Sequence, residues 1–259
     1  NALDFDACVV ALELENFTYA ESLSNAVRVN KTERVFTANE APSEVEIFLH
    51  HEMAQTPTYP SKLLFFCEHS SETGGSTPLC QSDRLLKQLL DRVPQLVDDL
   101  EGKGVQYTNV MPARADLDSG QGRSWQNTLG SKSKASAERR LRELDYTWEW
   151  LQGENLKVTT PVLTATRLLA DGRKVFFNQL IAAYRGWKDS RNKDSKKIQF
   201  GDGSDISEES MEVVCEIAEN ITYDHFWQKG DLLLVDNFLV MHGRRPFVGT
   251  RKVLASLSI

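Results

Sequence analysis

GDLLLVDNFLVMHGRRPFVGTRKVLASL, residues 230–257, is the stretch whose reading decides the fold. Gly230-Asp231 reads as a turn, 232–235 as a strand, Asp236-Asn237 as a second turn and 238–242 as a second strand. Residues 243–250 then form a loop, and 253–257 a final strand. Side chains alternate across a strand, so Phe238, Val240 and His242 share one face. A histidine that continues an apolar face is ordinarily a hydrogen-bonded core residue, and His242 alone supports nothing more.

Outward from this stretch, further strand-like runs occur at 63–67 and 175–177. Three helices are expected between them. The first follows Ser82, with Leu85, Leu86, Leu89 and Leu90 at helical spacing, and ends near Pro94 or resumes through Leu100. The second covers about 135–144. The third begins at Ser207, an N-cap followed by Glu208 and Glu209 at the positive end of the helix dipole. Its residues Met211, Val214, Cys215 and Ala218 share one face. Short strands with helices inserted among them predict a mainly β, α+β fold: a β-sandwich or jelly roll with helical decoration. No repeat and no long Pro/Gly/Ser linker divides the 259 residues, which reads as one domain over 1–259.

Composition excludes several classes. With 41% hydrophobic residues the chain can bury a core, and a net charge of −7 with no basic stripe argues against a phosphate-gripping nucleic-acid binder. The mixed-charge run at 193–197 reads as solvated loop. Four cysteines without a C-x-x-C pair argue against a zinc knuckle or disulfide scaffold, and Cys67 and Cys215 read as small core residues. No stretch approaches the roughly 20 apolar residues a membrane span needs. A reduced, cytoplasmic setting is the default expectation. The chain opens on Asn1 rather than Met, which leaves open a native segment truncated before it.

Phe48-Leu49-His50-His51-Glu52-Met53 is the first candidate metal site. In a strand His50 and Glu52 point to one face and His51 to the other. With five histidines and 37 acids in the chain, a single H-x-[DE] match is unsurprising and by itself favours ordinary strand histidines. His51-Glu52-Met53-Ala54-Gln55 begins like the zinc-protease H-E-x-x-H, but Gln55 stands where the second histidine must be. Combined with His242, the pair makes a 2-His-1-carboxylate facial triad. That set suits Fe(II), since it fills three positions and leaves three open.

At this point the sequence resembles the taurine/2,4-D dioxygenase (TauD/TfdA) and clavaminate synthase-like family of Fe(II)/2-oxoglutarate oxygenases. The resemblance is carried, in order, by His50-His51-Glu52, Gly74-Gly75-Ser76-Thr77-Pro78, Asp236-Asn237 leading to His242, and Arg251. Tyr59-Pro60-Ser61-Lys62-Leu63 and Phe65-Phe66-Cys67-Glu68 also resemble the segment after the family's first metal ligands, so coverage runs from about Val35 onward. The resemblance implies a double-stranded β-helix, a cupin-like jelly roll, with His50, Glu52 and His242 as iron ligands. It implies that Arg251 pairs with the distal carboxylate of 2-oxoglutarate and that Thr77 adds a second contact. A planar guanidinium suits this task because it grips a carboxylate bidentately and stays charged. Arg244 and Arg245 compete for it, but Arg251 opens the last strand and ranks first. Glutamate at position 52 matches the clavaminate synthase-like branch, whereas Lys252 stands where many relatives carry a second arginine, so taurine-type sulfonate specificity does not transfer.

The implied cofactors are Fe(II), 2-oxoglutarate and O₂, and the implied reaction is oxidation, foremost hydroxylation, of a C–H bond with release of succinate and CO₂. Desaturation or cyclisation with the same cofactors, and a non-catalytic jelly-roll ligand binder, are the alternatives; a radical halogenase is disfavoured because Glu52 fills the position chloride would need. For the substrate, expected to be a small polar molecule of amino-acid-like type, the candidates are Asn39 and Glu40 at the pocket mouth, Trp125 as a wall, Asn178 and Tyr184 in a strand-plus-loop over the iron face, and Arg245. Oligomeric state is not legible.

Overall fold

In the computed structural model, which describes all residues except 19–22, 25, 117, 118, 120, 188–190 and 192–196, the architecture is mixed α/β with antiparallel strand pairing. All of the run at 193–197 except Lys197 lies outside the described residues.

Two four-stranded sheets make the centre. One orders Phe36–Thr37, Lys252–Ser258, Lys62–His69 and Leu232–Asp236; the other orders Tyr223–His225, Thr77–Gln81, Val240–Arg244 and Ile47–His50. The expected strands 232–235 and 253–257 are thus present, each longer by a residue or two. Expected strand 238–242 instead runs over Val240–Arg244, because residues 237–239 complete the turn. The expected strand at 175–177 shrinks to Lys174–Val175, paired with Arg167–Leu168.

Strand alternation explains the layering. In Lys62–His69, Leu63, Phe65 and Cys67 face the space between the sheets, together with Val253, Ala255, Leu257, Leu79 and Val240. Leu64 and Leu254 face the other way and are covered by Phe5 and Val9 of the helix Ala2–Ala11. This strand reads as a continuous apolar run because both of its faces are covered. The second sheet turns Leu49, Cys80 and Met241 outward onto a helical layer, so its opposite face, carrying His50 and His242, meets the first sheet.

That helical layer matches the sequence reading. Ser82–Arg92 and Pro94–Lys103 are separate helices, because Pro94 sits at the N-terminus of the second and cannot continue the first. Glu208–Asn220 is capped by the Ser207 hydroxyl, which accepts from Ser210 N at 3.4 Å. Met211, Val214 and Ala218 are buried, while Cys215 is half-buried. All four cysteines are free thiols. Among the described residues no helix is long and apolar enough to cross a membrane.

A third sheet of Ile198–Phe200, Val105–Met111, Leu156–Thr159 and Thr147–Trp150 lies beside this core. It packs against the helix Lys134–Glu143 in a cluster that includes Trp125. Trp125, expected as a pocket wall, lies in this cluster and not among the residues that line the cavity holding His50, Glu52 and His242: it is 4% exposed, stacks edge-on with Trp150 at 5.2 Å and donates from Nε1 to Glu154 O at 3.1 Å. Trp125→Ala is expected to destabilise the fold by about 3–5 kcal/mol while leaving 2-oxoglutarate affinity within about twofold, since distant sites couple weakly. Chemical denaturation and a ligand titration on the same variant check both halves.

Candidate metal centre and co-substrate cavity

Antiparallel register places His242 directly opposite His50. Their rings lie 4.4 Å apart, centroid to centroid. The carboxylate arrives by a different route from strand alternation. The strand ends at His50, and Glu52 sits in the turn that follows, with Met53 at φ 60° in the left-handed region. Left-handed backbone is unfavourable for a non-glycine residue, and the surroundings hold it. Asn237 Oδ1 accepts from Glu52 N at 2.7 Å, and Asn237 Nδ2 donates to Glu52 O at 3.0 Å and Pro60 O at 2.7 Å. The Asp236-Asn237 turn thus pins the Glu52 backbone. Asn237→Ala, which strips three hydrogen bonds from a fully buried group, is expected to cost about 2–4 kcal/mol. It should also weaken metal binding, as measured by equilibrium unfolding and Co(II) titration.

The result is a cluster in which one ligating atom each of His50, Glu52 and His242 lies within 4.8 Å of the others. Glu52 Oε2 is 3.8 Å from His50 Nε2 and 3.6 Å from His242 Nε2. His50 Nδ1 is engaged by Phe48 O at 2.8 Å, which fixes the tautomer and turns Nε2 toward the cluster. Burial, and then the neighbouring His50, lowers the His242 pKa to about 4, so its imidazole is neutral at working pH. Burial alone would raise the Glu52 pKa, but Arg28 and the two imidazoles hold the carboxyl well below the usual carboxylate range. Two imidazoles and one ionised carboxylate are the donor set that suits a divalent iron. His51 stands apart: it is fully buried, donates from Nδ1 to Asn237 O and accepts at Nε2 from Ser82 Oγ at 2.7 Å.

These three side chains line a cavity of about 590 Å³ that also exposes Thr77 and Arg251. Arg251 precedes the strand Lys252–Ser258 and donates from Nε to Gly75 O at 2.9 Å, its one hydrogen bond among the described residues. Burial, with Arg244 nearby, lowers its pKa to about 10, still charged at neutral pH. The Gly74-Gly75 turn makes this approach possible: both residues have positive φ, and a Cβ on Gly75 would stand 3.0 Å from Arg251 Cδ. Thr77 Oγ1 accepts from Trp227 Nε1 at 2.9 Å, which leaves its own proton to donate.

The other arginines are committed elsewhere. Arg244 is buried and donates to the carbonyls of Asn39, Ala41, Pro42 and Val45, clamping the loop at the cavity mouth. Arg245 does not line the cavity; it pairs with Glu46, Glu219 and Asp224 at 2.8, 2.6 and 3.1 Å. Lys252 points out to Glu68 at 2.6 Å.

Among the other substrate candidates only Asn39 lines the cavity. Glu40 is exposed and outside it. Asn178 serves the backbone, donating to Ala165 O and accepting from Leu180 N, both at 2.9 Å. Tyr184 donates to Glu212 at 2.8 Å on the far side of the helix Leu180–Gly186, where a strand and loop were expected. A helix of 7 residues whose Leu180, Ile181, Ala182 and Ala183 are all buried has no apolar/polar period to read. The residues that do face the cavity include Arg28, Gln55, Gln179 and Arg185. Of these Gln55 and Gln179 lay in stretches already under scrutiny; Arg28, in Val27-Arg28-Val29, carries no motif.

Two imidazoles and a carboxylate beside a half-buried guanidinium are what a 2-oxoglutarate-dependent iron oxygenase needs. The chain belongs to the taurine catabolism dioxygenase TauD, TfdA family, whose model matches residues 10–257. It is 38% identical over 258 residues to a clavaminate synthase-like protein of Arabidopsis thaliana, covering 99% of this chain and 78% of that one. It is 29% identical to the dapdiamide synthesis protein DdaC of Enterobacter agglomerans, covering 98% of this chain and 77% of that one. Among solved structures, the non-haem iron oxygenase OrfP in complex with Fe, succinate and (3S)-hydroxy-L-Arg matches with a TM-score of 0.54 at 13% identity; 96% of this chain is covered but only 63% of that one. The protein is accordingly a non-haem iron dioxygenase that uses Fe(II), 2-oxoglutarate and O₂.

Proposed function

We propose that His50, Glu52 and His242 hold the iron, that Arg251 and Thr77 bind the distal carboxylate of 2-oxoglutarate, and that the enzyme hydroxylates a C–H bond of a small, polar, amino-acid-like substrate. The observation that carries this is the meeting of the three ligating atoms in one cavity with Arg251 and Thr77. The iron and its co-substrate would supply the oxidising chemistry, with succinate and CO₂ as by-products. The chain supplies two imidazoles, an ionised carboxylate and a guanidinium for the co-substrate. A polar substrate fits because the cavity is lined by amides and charges of both signs, among them Asn39, Glu46, Gln55, Gln179 and Arg185.

We further read the two facing four-stranded sheets as the double-stranded β-helix of a jelly roll, the chain as one domain over 1–259, and the reduced cytoplasm as its setting. Anaerobic addition of Fe(II) and 2-oxoglutarate should produce the visible charge-transfer band of the chelate. Screening polar metabolites should then find one that stimulates succinate release. Absence of the band in metal-loaded wild-type protein would sink the proposal.

A further inference from the structure

Glu52 has a partner that the resemblance did not supply. Arg28 Nη2 lies 2.9 Å from Glu52 Oε1 and 3.1 Å from Oε2, with the two side chains only 7% and 4% exposed. The arginine is placed by backbone pairing of its neighbours: Thr37 N donates to Val29 O at 2.9 Å, Val29 N donates to Thr37 Oγ1 at 3.0 Å and Glu40 N donates to Val27 O at 3.2 Å. Its guanidinium carbon also lies 5.2 Å from the Phe36 ring centroid.

A donor nearly equidistant from both oxygens stands where a metal chelated by both oxygens would stand. Of the two oxygens, Oε2 comes nearest the imidazole nitrogens, 3.6 Å from His242 Nε2 and 3.8 Å from His50 Nε2. We infer that Arg28 is a positioning residue that restricts Glu52 to ligation through a single oxygen, Oε2, because its Nη2, bonded to both oxygens, takes the place between them that a chelated metal needs. The inference rests on the metal assignment proposed above and adds a reason for the cavity's chemistry. A facial triad works only if three positions stay open, two for the co-substrate chelate and one for O₂. Glutamate is long and flexible enough to close one of them, and Arg28 prevents it.

The test compares wild type with Arg28→Gln and Arg28→Lys, using Co(II) as a spectroscopic stand-in and 2-oxoglutarate as the second ligand. In Arg28→Gln, Glu52 should chelate. The Co(II) d–d band should weaken as the coordination number rises, Co(II) affinity should hold or tighten, and 2-oxoglutarate affinity should fall about tenfold. Arg28→Lys keeps one cationic donor and should restore both the band and, to within about threefold, the affinity.

Four results would overturn the inference. In Arg28→Gln these are wild-type behaviour throughout, parallel loss of Co(II) and 2-oxoglutarate binding, or shifted affinities with an unchanged d–d band, which would mark a charge effect alone. The fourth is an Arg28→Lys variant whose d–d band is weakened as in a chelated site. Should Arg28→Gln fail to fold, the Lys variant decides by the same band. If wild type binds Co(II) yet gives no band with Fe(II) and 2-oxoglutarate, the oxygenase proposal falls while the Co(II) spectra still judge Arg28; wild type that binds no Co(II) overturns both.

Discussion

Glu52→Ala should lose the metal and a large part of the folding free energy in one step. The carboxylate is buried and ion-paired with an equally buried Arg28, at 4% and 7% side-chain exposure. Removing one partner of such a pair leaves an uncompensated charge away from water, which costs about 3–5 kcal/mol. The same change takes the only anionic donor from the cluster of His50, Glu52 and His242. The Fe(II)/2-oxoglutarate band should therefore vanish and the urea midpoint should fall sharply. His242→Ala is the useful contrast. It should also abolish the band, but with a smaller stability loss, because no charged partner is stranded and His242 Nδ1 has no hydrogen bond among the described residues to forfeit. A Glu52→Ala protein that kept the band, or kept wild-type stability, would show that the buried pair is not where the structure places it.

The second large effect is expected at Arg251. With Nε fixed on Gly75 O and the side chain lining the cavity, the guanidinium is pre-positioned for a carboxylate. Arg251→Met would leave the distal carboxylate of 2-oxoglutarate desolvated and unpaired, a loss of about 2–5 kcal/mol. That corresponds to a dissociation constant raised by roughly 30-fold to several thousand-fold. Iron binding, which uses none of this residue, should stay within about twofold, since the two sites share no ligand atom. Arg251→Lys should fall between, because an ammonium keeps the charge but lacks the planar fork. Arg245→Ala should leave 2-oxoglutarate affinity unchanged, since that side chain is spent on Glu46, Glu219 and Asp224. Titration of the charge-transfer band across the four proteins distinguishes these outcomes.

What could be read without coordinates was whatever repeats at short range. The apolar run at 63–67 announced a strand, and alternation put Val240 and His242 on one face of another. The leucines after Ser82 announced a helix, and Ser207 with its following glutamates announced where another begins. The ordered set His50, Glu52, His242 and Arg251 was legible for a different reason: it resembles a family pattern. Two readings near those residues were off in detail. Glu52 reaches the cluster from a turn pinned by Asn237, and the histidine strand starts at Val240, two residues later than expected.

The substrate side of the cavity fared worse, and the failures share a cause. Trp125, Asn178, Tyr184, Glu40 and Arg245 are residue types that suit a pocket, but residue type does not say which of several layers a side chain enters. Trp125 went to a separate core beside the third sheet, and Asn178 to a helix start. Conversely, nothing local marks Arg28, whose importance lies in a carboxylate brought to it by the folding of distant segments. Periodicity of 2 or 3.6 residues is written into neighbouring side chains by backbone geometry, so strands, helices and their apolar faces belong to the sequence alone. Contacts such as Arg28 with Glu52, Arg251 with Gly75 and His242 opposite His50 depend on strand register and loop path, which exist only once the sheets have closed on each other.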